Sequence, residues 1–253
     1  MNKNDKIKKE NKKAFPQFLI MFLGGGLLGG LISFLSYSGG MGIADSIKNS
    51  FIGFLSLTGP YMSYAAIALL LLPAYIIYRK CRAAFNSWDG DDEELPEEIE
   101  HRLDVVLLLV QICCIVYFLS ISCLITLNCG IGGTITGLVG FLLAFALSIF
   151  MQQKAVDLTR CLNTEKQGSI YDMRFQKKWY KSCDEAEKKL IGEASRHAFA
   201  ITQNVTVLLF IVAILTHVLF NTGIFPFILI LIILSVSQLS YIVSAMKISR
   251  GKK

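Results

Sequence analysis

The stretch WDGDDEELPEEIEHRLDVVLLLV, Trp88–Val110, sets eight acidic residues among the twelve positions from Asp89 to Glu100 and then turns apolar without a break. Pro96 suits the first turn of a helix, where its missing N–H costs nothing. Glu97, Glu98 and Glu100 follow where the helix dipole favours anions. A cap of this kind needs two or three acids, so the rest of the charge is left over for another use. The apolar residues then continue to Leu127, long enough to cross a hydrocarbon core of ~30 Å as a helix. A helix from Pro96 to Asn128 would be about 50 Å long at 1.5 Å per residue. It therefore has to project beyond the bilayer at its acidic end.

Five more apolar runs of similar length lie outward from this one. With 104–127 they are about 16–38, 61–78, 131–150, 199–220 and 224–246. The chain is 253 residues long, 53% hydrophobic and only 17% charged, which excludes an ordinary soluble domain. Buried strands would be shorter than these runs, so helices are the better reading. The expected fold is an all-α membrane protein of six transmembrane helices. One domain covers 16–246, flanked by basic tails 1–15 and 247–253. The flank MNKNDKIKKENKK is basic enough for a signal peptide. The run from Phe15 to Tyr37 is long for one, and no small-residue cleavage site follows it, so a retained helix is expected.

Lys and Arg set the orientation. All but one of the 25 fall in the two tails and in the loops 79–103 and 151–198; the exception is Lys48. These parts are expected to be cytoplasmic, with both termini inside and the chain in the cell membrane. The net charge of +6 reflects this bias and is no argument for nucleic acid. The seven Cys form no disulfide framework: most lie in a span or on the reducing side, and no C-x-x-C occurs.

The loops expected outside are unequal. LNCGIGG (Leu127–Gly133) and FNTGIF (Phe220–Phe225) both contain N-x-G-I, and Asn and Gly tolerate the left-handed conformation that ends a helix. Each follows a long helix that starts in acids, which reads either as a duplicated unit or as convergent turn chemistry. Loop 39–60 carries Ile43, Ile47, Phe51, Phe54 and Leu55 near helical spacing. It is expected as an amphipathic helix on the outer leaflet, the alternative being a lid. Gly25 with Gly29, Gly26 with Gly30, and Gly133 with Gly137 allow close helix approach, within one subunit or in a homodimer.

Catalytic and metal patterns fail at named positions. A calcium loop from Asp89 needs Gly where Glu94 stands, and Pro96 fits it poorly. EEIEHR and HVLFN are similar to motifs of membrane proteases that process prenylated proteins. Glu97 and Glu98 would sit a membrane thickness from His217, beyond the reach of a base and its partner. Gln111, Asn204, His217 and Gln238 are the main polar groups inside spans, and no acid or base lies deep. No phosphate-binding G-x-x-x-x-G-K-[ST] loop is present, so the chain is not its own ATPase. The expectation is a protein without catalytic residues, cofactor or metal.

Interaction chemistry gathers instead in two loops. One is the acidic Asp89, Asp91, Asp92, Glu93 and Glu94. The other is YDMRFQKKWYKSCDEAEKKL, where Arg174, Lys177, Lys178 and Lys181 fall on one helical face beside Phe175 and Trp179. Anionic lipids of the inner leaflet suit the basic face, as does the acidic loop; an ordinary basic flank is the plain alternative. A second copy or another membrane protein are further partners to consider.

GSIYDMRFQKKWYKSCDEAEKKLIGEASRHAF, with Asn204 and the fifth span after it, resembles a family of Gram-positive bacterial membrane proteins, domain of unknown function 3169. GDDEELPEEIEHRLD is similar to that family's first cytoplasmic loop. The resemblance implies a multi-span membrane protein and supplies no catalytic residue. The expected function is that of a non-enzymatic accessory or regulatory protein acting through its cytoplasmic loops. The alternative is a permease subunit driven by a separate ATPase.

Overall fold

The computed structural model describes residues 41–90 and 94–251, with scattered positions between 12 and 30. The expected span 16–38 and the tail 1–15 fall largely outside these residues, as do residues 252–253 of the tail 247–253 and Gly25, Gly26 and Gly29. The described residues contain helices and no strand. In order they are α1 (Met41–Ala66), a π-helical turn (Ile67–Leu71), α2 (Leu72–Ser87), α3 (Leu95–Thr126), α4 (Gly130–Leu162), α5 (Phe175–Ser182), α6 (Glu185–Phe220) and α7 (Phe225–Gly251). Five stretches among them are long and apolar enough to cross a membrane: Asp45–Ser87, Leu95–Thr126, Gly130–Leu162, Glu185–Phe220 and Phe225–Ser249.

The chain divides into two compact units, Asn49–Gly192, and Met1–Lys48 with Glu193–Lys253. In the first, α3 and α4 form an antiparallel hairpin. Asn128 and Gly130 make its turn: Gly130 has φ +68°, and its N–H donates to Asn128 Oδ1 at 3.3 Å. The rod formed by α1, the π turn and α2 packs along both helices.

A regular seam holds this three-helix bundle. On α3 the buried residues from Ile99 to Ser120 are Ile99, Leu103, Val106, Val110, Cys113, Tyr117 and Ser120. They alternate three and four apart, the spacing that keeps one face toward a neighbour. The facing positions of α4 are small, with Gly137, Gly140, Ala144 and Ser148 buried. A Cβ on Gly137 would lie 3.0 Å from Pro60 Cα and 2.6 Å from a Leu124 methyl, so the backbones approach as only glycine allows. Tyr117 fills the middle, its ring 5.5 Å from that of Phe141.

The π turn belongs to the same seam. Gly59, Ser63 and Ala66 are buried before it, Leu71 at its end, and Ala74 and Cys81 after it. The step from Ala66 to Leu71 is one residue longer than the pattern allows. The Leu72 N–H reaches back to the Ile67 carbonyl, a five-residue bond that absorbs the surplus.

Loop 39–60 differs from expectation. It is helical, but α1 runs from Met41 through Pro60 with no turn before the span. Gly59–Pro60 reads locally as a break. Buried against α3 it is not one: Ser120 Oγ donates to the Gly59 carbonyl at 2.7 Å, and the Pro60 ring packs at Gly133.

In the second unit α6 and α7 form another hairpin through Asn221 (φ +51°) and Gly223 (φ +76°). Gln203 Nε2 donates to Ser237 Oγ and Gln238 Nε2 to Gln203 Oε1, both at 2.8 Å. Gln238, noted above as polar, thus finds Gln203. His217 lies edge-on to Phe227 with centroids 5.9 Å apart.

Candidate functional site: a charged clasp at the polar end of the bundle

Between α4 and α6 the chain makes a compact excursion within the first unit, and Gln153 of α4 anchors its start. Gln153 Oε1 accepts from Ser169 Oγ at 3.0 Å and from the Ile170 N–H at 2.9 Å, while its Nε2 donates to Asp157 Oδ1 at 2.7 Å. Gly168 sits at φ +132° with the Phe175 ring against it, where a Cβ would clash at 2.9 Å. Asp172 then closes a turn, accepting from the Arg174 N–H at 2.8 Å and pairing with Lys178 Nζ at 2.5 Å. These contacts pull the Asp172 pKa below the usual carboxylate range, the Lys178 bond first.

Lys166 is the centre of the arrangement. Only 6% of it is exposed. Its ammonium pairs with Glu187 Oε2, donates to Cys183 Sγ at 3.4 Å, and lies 5.5 Å from the centre of the Trp179 ring. A buried cation without partners would be costly. Burial pushes its pKa down; the hydrogen bonds to Glu187 and Cys183 more than reverse this and leave it raised.

Glu187 has a second role. Its Oε2 accepts from the Asp184 N–H at 3.1 Å, and Asp184 Oδ1 accepts from the Glu187 N–H at 2.7 Å. This reciprocal capping box starts α6. One carboxylate thus caps a helix and holds the loop cation. A cleft of about 280 Å³ opens beside it, lined by Glu100 and Asp104 of α3, Thr159, Lys166, Trp179 and Glu187 among others. At its mouth the pKa of Glu100 is raised, first by the protein around the carboxyl and then by the like charge of Glu187, with Lys166 offsetting part. Among the described residues no group of three His, Cys, Asp or Glu side chains is gathered to hold a metal ion.

The residues singled out in the sequence fall into distinct places. Arg174, Lys177 and Lys181 are exposed; Phe175 and Trp179 are half-buried, their rings 5.4 Å apart. Arg174 precedes α5 with φ −97° and ψ 13°, so the basic face starts one residue later than helical spacing implies. Lys178 is tied to Asp172. Asp89 and Glu94 are exposed on either side of a break in the description, and Asp91, Asp92 and Glu93 lie outside the described residues. Arg102 pairs with Glu98 at 2.5 Å and His101 with Glu97 at 3.6 Å, contacts within α3 itself. Among the described residues of the acidic stretch, Glu100 lines the cleft beside the clasp.

Lys166 and Gln153 were not singled out by sequence. The Asp184-x-x-Glu187 spacing was legible as a helix start, but Lys166 and Glu187, 21 positions apart, show no pattern that pairs them.

No curated protein and no solved structure matches the chain. One family model matches, over residues 8–245, nearly the whole length. The chain belongs to the family described as Protein of unknown function (DUF3169).

Proposed function

We propose that this is a non-enzymatic accessory or regulatory protein of the cell membrane, with both termini cytoplasmic, acting through the 163–192 excursion. One observation carries the reading. The excursion is fastened at its inner side by Lys166, Trp179 and Cys183 while its outer side is left open. Arg174, Lys177 and Lys181 are exposed there, together with Tyr171 (67%), Met173 (103%) and Tyr180 (50%). A basic surface edged with aromatics and a fully exposed methionine suits docking, since aromatics, Met and Arg are enriched where proteins meet. The partner of this chemistry is an acidic segment of another membrane protein.

Charge reversal tests it, with Lys178 spared because it holds Asp172. Arg174→Glu, Lys177→Glu and Lys181→Glu together should strip the co-purified partner from detergent-solubilised membranes and leave the thermal midpoint intact. An unchanged set of co-purified proteins would sink the proposal.

A further inference from the structure

We infer that the groove between α2 and α4 is a binding site for one anionic phospholipid, with its headgroup on Arg79, Arg82 and Lys154 and one acyl chain along the π turn.

Two cavities of the first unit carry the inference. One, of about 410 Å³, is lined by Arg79, Arg82 and Lys154 with Tyr75, Tyr78 and Phe150. The other, of about 280 Å³, is almost wholly apolar and is lined by Ile67, Leu71, Leu72 and Leu147 with Tyr75 and Phe150. Tyr75 and Phe150 line both, so the cavities form one groove with a cationic end and a greasy end. The boundary between them falls where the apolar runs 61–78 and 131–150 stop. That is the depth at which a phospholipid changes from headgroup to chain. Under the topology proposed above it is the inner leaflet, where anionic lipids attract basic groups.

The cations are available. Lys154 Nζ lies 5.3 Å from the Phe150 ring centre and Arg82 Cζ 5.8 Å from that of Phe85, and among the described residues none of the three has a carboxylate within ion-pair distance. Asp157, one turn further along α4, is bound to Gln153 at 2.7 Å and faces Arg160 at 3.7 Å. Two arginines and a lysine lining one cavity from two helices suit a phosphodiester, which arginine holds through paired N–H groups. The greasy end is shaped by the π turn, whose first and last residues, Ile67 and Leu71, both line it.

The site does not depend on the docking surface proposed above, which lies on other residues. The test uses the full chain, delipidated in neutral detergent and titrated with phosphatidylglycerol, phosphatidylcholine or glycerol 3-phosphate, with bound lipid counted by native mass spectrometry. Phosphatidylglycerol should bind about a hundredfold tighter than phosphatidylcholine, since three basic residues each favour the anion. Arg79→Gln, Arg82→Gln and Lys154→Gln together should abolish that preference. Leu147→Trp, which fills the greasy end, should weaken the lipid and leave glycerol 3-phosphate unaffected. Lys177→Gln with Lys181→Gln should change neither. Lys154→Gln alone keeps the test in force if the triple variant does not fold. Equal binding of the two lipids, or glycerol 3-phosphate binding as tightly as phosphatidylglycerol, overturns the inference, as does equal loss in the Lys177/Lys181 variant.

Discussion

The two hairpins, Leu95–Leu162 and Glu185–Gly251, share a plan and differ in what holds them. Each opens in acids, rises through a long helix, turns at N-x-G-I and returns. In both turns the glycine takes a positive φ: Gly130 at +68° and Gly223 at +76°. Yet 33% of the apolar window of α3 is buried and none of that of α7. The contrast lies in the returning helix. α4 offers Gly137, Gly140, Ala144 and Ser148 to its neighbour, whereas α7 begins FPFILILIILSV and offers bulk. The first hairpin closes through small residues and shape, whereas in the second Gln203 bonds Ser237 and Gln238 across the two helices. Turn chemistry alone therefore does not decide how tightly a membrane hairpin closes.

Filling the first seam should have the largest effect. Gly137→Leu would drive a side chain into Pro60 and Leu124, and overpacking of this kind costs roughly 1–3 kcal/mol. The thermal midpoint in detergent should drop, whereas Gly132→Leu, with nothing within 4 Å, should leave it nearly unchanged. Equal midpoints would break the small-residue account.

Next comes the clasp at the polar end of the first hairpin. Lys166→Met removes a charged hydrogen bond from Glu187, which is 35% exposed and partly rehydrates, so the loss is roughly 1–2 kcal/mol. Limited proteolysis between 163 and 184 should speed up. Because the folded pKa of Lys166 is raised, its contribution is fully present below the ordinary lysine value of about 10.4 and fades as pH rises through the higher folded value. Protection of the excursion should thus be lost only in strong alkali. Asp172 works the other way: its pKa is depressed, so its contribution holds above about 3.9 and fades as pH falls through the folded value.

Breaking the second hairpin calls for polar changes. Gln203→Leu and Gln238→Leu, combined in a double-mutant cycle, should give a coupling of about 0.6–1.7 kcal/mol. A cycle that closes at zero would mean the amides are incidental. Glu100→Gln should raise stability slightly at neutral pH: its folded pKa is raised, so its favourable contribution is present below about 4.3 and is lost as pH climbs through the folded value.

The smallest effect is expected at Ser63, whose buried hydroxyl has no hydrogen-bond partner among the described residues. A helix serine commonly bonds the carbonyl four residues back, but Gly59 O is taken by Ser120. Ser63→Ala should be neutral or mildly stabilising. Ser120→Ala should cost less in the presence of Ser63 than in its absence, because Ser63 can then take up Gly59 O.

The helices and their turns were legible in the sequence because apolar run length and N-x-G-I are local signals. The start of α3, its end and the start of α4 follow from Pro96, Asn128 and Gly130, whereas α4 runs on to Leu162, beyond the expected span 131–150. What was not legible depends on contact across the chain. Gly59–Pro60 looks like a break until Ser120 and Gly133 are beside it. The acidic surplus at 89–100 and the basic 174–181 stretch are complementary in charge, but Asp91, Asp92 and Glu93 lie outside the described residues; among those described, Lys178 is engaged by Asp172, and Glu100 lines one cleft with Lys166. No spacing rule reports a pair of residues that only tertiary folding brings together.

The π turn at Ile67–Leu71 also bears on how relatives of this chain are compared. It behaves as a one-residue insertion already accommodated, since the buried positions before and after it are in phase with α3 only because the surplus is absorbed there. Removing Leu69, which is 72% exposed, would let an ordinary helix run through with both flanking faces unmoved. The same deletion near Ala74 would rotate the remainder of α2 by about 100° about its axis, one residue's share of a 3.6-residue turn. In an alignment, a gap is tolerable at 67–71 and nowhere else in this rod, and relatives divided by that gap would share a bundle while differing in the groove beside it.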